Sequence, residues 1–138
     1  MNISNTILYG LLFLTLSPGL IITLYPGNKG FFFSSETNYY SIILHTFILA
    51  FIIVSNQKST TGSLNDRTKI EEKDIIPITA ILLFILLTPG LLLTIPAKDG
   101  QFFLSGNTNR LAIMVHTVIF IAMFILLVNF LSKKTKKI

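Results

Sequence analysis

The chain has 138 residues, enough for one domain, and 51% of them are hydrophobic while only 12% are charged. Soluble domains carry about a quarter of their residues as charged side chains, so this composition excludes an ordinary soluble domain. The absence of cysteine excludes disulfides and thiolate metal sites. The net charge is +5, and the basic residues lie beside apolar segments, which favours anionic lipid headgroups over nucleic acid as a partner.

Four apolar segments follow one another along the chain, at about residues 7–24, 39–54, 75–95 and 111–131. A membrane crossing needs about 20 residues, and each segment has close to that length. We expect helices, because backbone polar groups in lipid must be paired within their own segment. The predicted fold class is an all-α membrane protein with four transmembrane helices, arranged as two tandem helical hairpins of parallel orientation.

The polar stretches between these segments divide the chain further. We predict a first hairpin at residues 1–54, a polar cytoplasmic linker at 55–75, a second hairpin at 76–131 and a basic tail at 132–138.

The second half of the chain repeats the first with a shift of about 71 residues. Ser17–Leu20 corresponds to Thr88–Leu91, and His45–Thr46 corresponds to His116–Thr117. Each copy holds an even number of predicted spans, so both copies are expected to lie the same way up in the membrane.

Basic residues are concentrated on one predicted side of the membrane. The side with both termini and the linker holds Lys58, Arg67, Lys69, Lys73, Lys133, Lys134, Lys136 and Lys137, whereas the other side holds only Lys29, Lys98 and Arg110. The positive-inside rule therefore predicts an integral, multi-pass protein with both termini in the cytoplasm. We expect the lysine cluster of the tail to anchor this topology, and specific binding of anionic headgroups is the alternative.

The two histidines are the sharpest feature, since an ionisable side chain inside a span is a functional hypothesis by default. His45 and Pro18 both lie about six residues from the same membrane face, about 9 Å deep, and the same holds for His116 and Pro89. Proline frees the carbonyl four residues before it, and glycine leaves a bare surface for a neighbouring helix.

We therefore predict that each imidazole packs against a Pro-Gly segment. Its partner would be the carbonyl of Leu14 or Ile85, or a neighbouring hydroxyl, and the contact could lie within a hairpin or between hairpins. The predicted packing site consists of Ser17, Pro18, Gly19, His45, Thr88, Pro89, Gly90 and His116.

The alternative is that His45 and His116 relay protons or bind a metal, since imidazole suits both tasks near neutral pH. A relay usually needs carboxylates, and no predicted span contains one; a zinc site needs more ligands than two histidines. No pattern of residues indicates a catalytic, cofactor-binding or metal site, so an enzyme has no support.

The string Leu87–Pro96, followed by Val115–Thr117 in the next span, resembles a small plant membrane-protein family catalogued as domain of unknown function 3339. The resemblance extends to related sequences predicted in large DNA viruses of algae. The resemblance covers both copies, roughly residues 8–54 and 79–128, and the first copy departs from the pattern at Tyr25. It implies a membrane hairpin and brings no activity with it.

These features predict a non-enzymatic membrane protein with a structural, accessory or scaffold role in a larger membrane assembly. Its partners would be lipid and either other membrane proteins or a second copy of the chain, and the resemblance makes a virion inner membrane one candidate location. The alternative is a small channel or proton-coupled carrier that uses His45 and His116.

Overall fold

The computed structural model describes residues 3–57, 72–98 and 100–135. These residues form four helices and one two-stranded antiparallel sheet. In chain order the elements are α1 (Ile3–Leu16), α2 (Tyr39–Gln57), α3 (Glu72–Leu87), β1 (Leu93–Lys98), β2 (Gln101–Phe103) and α4 (Arg110–Thr135). Most of the predicted linker, and the last three residues of the predicted tail, lie outside the described residues.

The predicted fold of four transmembrane helices in two hairpins is wrong. Among the described helices only α2 and α4 are long and apolar enough to cross a membrane, over Tyr39–Asn56 and Arg110–Lys134. Helices α1 and α3 are apolar but have 14 and 16 residues. At 1.5 Å per residue they measure about 21 and 24 Å, less than the roughly 30 Å of a bilayer's hydrocarbon core.

The short helices end where a proline and a glycine follow one another. Gly19 and Gly90 have φ angles of +94° and +95°, in the left-handed region that an α-helix cannot continue. The segments predicted to be helical as far as Leu24 and Ile95 therefore turn at these glycines and run on as extended chain. Their side chains are as apolar as those of the helices, so hydropathy alone did not reveal the change.

The two predicted hairpins differ in packing: the helices of the second, α3 and α4, pack closely on each other, whereas those of the first, α1 and α2, hardly touch. Helix α1 packs chiefly against α4 and only slightly against α2, whereas α3 packs against both α4 and α2. Phe13 of α1 stacks on Phe120 of α4 with ring centroids 4.5 Å apart, and it meets Phe84 of α3 edge-on at 5.6 Å. The central core consists of Phe13, Leu49, Ile53, Ala80, Leu83, Phe84, Phe120, Phe124 and Val128.

A layer of non-helical chain covers one end of the helices. We call residues 17–38, 88–98 and 100–109 the loop layer. In its second half β1 pairs with β2, with Leu93 opposite Phe103, and in its first half Ile22 forms an isolated bridge with Phe32. Both long helices begin at this layer, where the Asn38 and Asn109 side chains accept hydrogen bonds from the first-turn N–H groups of Ser41 (2.8 Å) and Ala112 (2.7 Å).

Candidate functional site

His45 joins α2 to two parts of the chain that precede it. Its Nδ1 lies 2.7 Å from the carbonyl oxygen of Leu16, the last residue of α1, and its Nε2 accepts the backbone N–H of Leu24 at 3.1 Å. The side chain is only 2% exposed. One imidazole therefore holds the end of α1 and the extended segment after it against α2.

The chemistry of the two partners assigns the tautomer of the His45 ring. A backbone N–H can only donate, so Nε2 must be the unprotonated acceptor; a carbonyl can only accept, so Nδ1 must carry the proton. The ring is therefore a neutral imidazole with both nitrogens in use. A proton added to Nε2 would face the Leu24 N–H and break that hydrogen bond.

His116 makes the same two contacts in the second half. Its Nδ1 lies 2.7 Å from the Leu87 carbonyl oxygen at the end of α3, and its Nε2 accepts the Ile95 N–H at 3.1 Å. Both contacts stay within their own half of the chain, a choice that the sequence left open.

The predicted carbonyl acceptors, Leu14 and Ile85, are wrong. That prediction assumed that α1 and α3 continue past their prolines, but both helices end before them. The last carbonyls of a helix have no partner inside it, and the Leu16 and Leu87 carbonyls receive the imidazoles instead.

The predicted hydroxyl partners bond elsewhere. Ser17 Oγ donates to the Phe13 carbonyl at 2.7 Å, and the Thr88 hydroxyl donates to the Phe84 carbonyl. Each residue therefore caps the last turn of the helix that it follows, and neither hydroxyl meets a histidine.

Gly19 and Gly90 each admit two close neighbours, a threonine methyl group from the other half of the chain and a backbone carbonyl from their own half. A Cβ on Gly19 would lie 2.7 Å from Thr108 Cγ2 and 3.0 Å from the Glu36 carbonyl oxygen. A Cβ on Gly90 would collide with Thr37 Cγ2 and lie 3.0 Å from the Asn107 carbonyl oxygen. Each glycine thus leaves room for the methyl group of a buried threonine from the other half, Thr108 at Gly19 and Thr37 at Gly90.

Backbone hydrogen bonds join the halves at the same level. The Thr37 N–H donates to the Gly106 carbonyl at 3.2 Å, and the Thr108 N–H donates to the Ser35 carbonyl at 3.3 Å. Between them Glu36 and Asn107 form an antiparallel bridge. Each contact has a counterpart 71 residues along the chain.

Sequence reasoning missed two hydroxyl pairs of the loop layer, one buried and one partly buried. Thr23 Oγ1 lies 2.6 Å from Ser34 Oγ, and Thr94 Oγ1 lies 2.8 Å from Ser105 Oγ. All four residues recur with the same 71-residue shift as the histidines, and this recurrence was the signal that could have identified them.

The hydrogen bonds of the two histidines fit a packing role better than a role in metal or substrate binding. Within the described ranges, no three His, Asp or Glu side chains are grouped so that they could hold a metal ion. Each imidazole has both nitrogens bonded to backbone, so neither is free to bind a substrate without first leaving its place.

Comparison with known proteins agrees with the resemblance in one part of the chain. Residues 73–134 match the family described as "Protein of unknown function (DUF3339)". The match supports the family for the second half, as a single copy, and says nothing of the source organism. The chain matches no curated protein and no solved structure.

Proposed function

We propose that this protein is a non-enzymatic integral membrane protein that serves as a scaffold or accessory subunit of a membrane assembly. The observation that carries the proposal is the bonding of His45 and His116. These are the side chains a proton carrier would use, and both nitrogens of each ring are committed to backbone groups that hold the fold together.

Exposed apolar side chains on the helices support a membrane location. Phe51 on α2 is 74% exposed and Val118 on α4 is 69% exposed, and large aliphatic side chains of α1 and α3 are exposed as well. Apolar patches beyond a few hundred Å² are rare on soluble monomers. In our proposal α2 and α4 cross the bilayer, and this apolar surface faces acyl chains.

The charges of α4 support an orientation. Helices α2 and α4 both begin at the loop layer, and the last turn of α4 carries Lys133 and Lys134. By the positive-inside rule the end of α4 lies in the cytoplasm and the loop layer lies on the opposite face.

The loop layer is suited to the membrane interface, where aromatic rings are enriched. Arg110 lies over the ring of Phe33, with 5.7 Å from its Cζ to the ring centroid, and Tyr25 packs against Tyr40 at 5.2 Å. The exposed aromatic residues at this end are Tyr25, Phe31, Phe32, Phe33, Tyr39, Tyr40, Phe102 and Phe103.

We further propose that residues 8–54 are a diverged second copy of the unit that matches the family. The support is the set of equivalent contacts: both histidines bond to a helix-ending carbonyl and to an extended segment, and both glycines receive a threonine of the other half. A family model built from single-copy sequences that are closer to this chain tests this origin. We expect such a model to match residues 8–54 as well.

A flux measurement separates the scaffold from the carrier. Purified protein in liposomes, and its His45→Ala/His116→Ala variant, are each tested for proton and cation flux between pH 5 and 8. We expect no flux from either protein. We also expect the variant to unfold at lower temperature, because each buried backbone N–H that loses its acceptor costs about 1–3 kcal/mol. Wild-type flux that disappears in the variant would establish the carrier and overturn the scaffold.

Cross-linking tests the scaffold directly. The chain has no cysteine, so single cysteines at Lys29 and Lys134, both exposed, give unambiguous attachment points at the two proposed membrane faces. In native membranes we expect adducts with another membrane protein or with a second copy. Monomer alone from both positions would contradict a role in an assembly.

A further inference from the structure

An apolar groove of about 440 Å³ lies between α2 and α3. Its wall is almost entirely hydrocarbon, and of its two side chains with a hydroxyl, Tyr39 and Thr46, the threonine donates its proton to the Ile42 carbonyl at 2.7 Å. The groove therefore offers almost no polar surface to a polar ligand. Its lining residues are Tyr39, Ile42, Ile43, Thr46, Phe47, Ala50, Ile81, Ile85 and Leu91.

The length and position of the groove fit one membrane leaflet. Its α2 wall runs from Tyr39, at the loop layer, to Ala50, a distance of about 16 Å along the helix. The hydrocarbon core of a bilayer is about 30 Å thick, so half of it is about 15 Å. The groove thus extends from the proposed interface to about the middle of the bilayer.

The junction between α1 and α4, which corresponds to that between α2 and α3 under the 71-residue shift, is closed. There α1 meets α4 so tightly that a Cβ on Gly10 would lie 2.9 Å from Ile121, and Tyr9 packs against Phe124 with ring centroids 5.2 Å apart. A shift of 71 residues turns Gly10 and Ile121 into Ile81 and Ala50. The larger side chain on α3 and the smaller one on α2 line the groove instead of closing the junction.

We propose that this groove binds one acyl chain of a membrane lipid from the leaflet on the loop-layer side, an inference that rests on the membrane location proposed above. The groove is continuous with the exposed apolar surface through Ile43 and Phe47, which are 51% and 69% exposed, so it opens where lipid would lie. A partner helix fits less well, because close helix packing in membranes favours small residues and this rim is bulky.

Photocrosslinking with a lipid tests the proposal. The full chain is reconstituted in phosphatidylcholine vesicles with a tracer phosphatidylcholine that carries a diazirine in one acyl chain, and labelled residues are mapped by mass spectrometry. Ala50→Phe fills the groove. Val118→Phe is the matched control, since it adds bulk at the exposed α4 position equivalent to Phe47.

We expect labelling of the groove residues to be several-fold higher than labelling of exposed α4 residues such as Leu126. Ala50→Phe should remove this excess and Val118→Phe should keep it; the wild-type pattern stands as a test even if Ala50→Phe does not fold. Uniform labelling of all exposed apolar residues would overturn the acyl site and leave the membrane location intact. Absence of acyl labelling anywhere on the helices would overturn the membrane location itself.

Discussion

At the scale of the residue, the polar side chains inside the protein fall into two groups, those that have a hydrogen-bond partner and those that have none. The imidazoles and the Thr23–Ser34 and Thr94–Ser105 hydroxyls all have partners. Within the described part of the chain, the buried Ser41 Oγ has none, although Ser41 is 0% exposed. Its counterpart in the second half, Ala112, is equally buried and carries no hydroxyl.

Replacing Ser41 with alanine is expected to stabilise the protein by about 1 kcal/mol, because an unpaired buried hydroxyl is costly and alanine favours the helix. Thermal unfolding in detergent, followed by circular dichroism, measures the change. Ser17→Ala is the matched control and should cost about 1 kcal/mol, since Ser17 Oγ donates to the Phe13 carbonyl. Destabilisation by Ser41→Ala would show that the Ser41 hydroxyl makes a stabilising hydrogen bond, which contradicts this account.

At the scale of the element, the ends of α1 and α3 decide the architecture. Each helix stops at a serine or threonine, a proline and a glycine, and the chain then runs back through the loop layer to start a long helix. The imidazole of that long helix bonds to the last carbonyl of the short one. An apolar segment of membrane-spanning length thus becomes a short helix plus an extended strand-like stretch.

The two glycines at these ends are expected to tolerate no side chain. Gly19→Ala should cost at least about 2 kcal/mol, because it combines a left-handed backbone with a collision against Thr108 Cγ2. Gly30→Ala isolates the backbone contribution, since Gly30 has φ +85° but no neighbouring atom within 4 Å of an added Cβ. Equal losses of stability in the two variants would contradict the close contact between Gly19 and the Thr108 methyl group.

The sequence predicted the approximate places of the helices because their apolar runs are long. It did not predict where α1 and α3 end, since Leu20, Ile21 and Ile22 continue the apolar run of α1 beyond the turn. The equal depth of histidine and proline led to the prediction that the imidazoles lie near the Pro-Gly segments. The predicted carbonyl acceptors were wrong, because they depended on where α1 and α3 end. Contacts between halves, such as Thr37 on Gly90, depend on tertiary packing that no local pattern specifies.

At the scale of the whole molecule, the halves interlock through reciprocal contacts. Phe13 meets Phe84 in the core, and Glu36 pairs with Asn107 in the loop layer. In both pairs the partners lie 71 positions apart in the chain. The helices of one half therefore pack on those of the other, and the exposed surface that remains is largely apolar.

The proposed orientation places the loop layer and the end of α4 on opposite faces of the membrane. Single cysteines at Lys29 and Lys134 are tested with a membrane-impermeant maleimide in sealed vesicles of known orientation. We expect the Lys134→Cys protein to be labelled only from the cytoplasmic side and the Lys29→Cys protein only from the other. Labelling of both from the same side would contradict the crossing by α4.

Both histidines are neutral and join a long helix to two backbone groups, and nuclear magnetic resonance of ¹⁵N-labelled histidine in lipid bilayers detects this state. At neutral pH we predict two imidazole signals of the neutral Nδ1–H form, each with an unprotonated Nε2 that accepts a hydrogen bond. Observation of the Nε2–H tautomer, or of a doubly protonated ring, would show that the bridges do not exist as described and would return the histidines to the proton-carrier alternative.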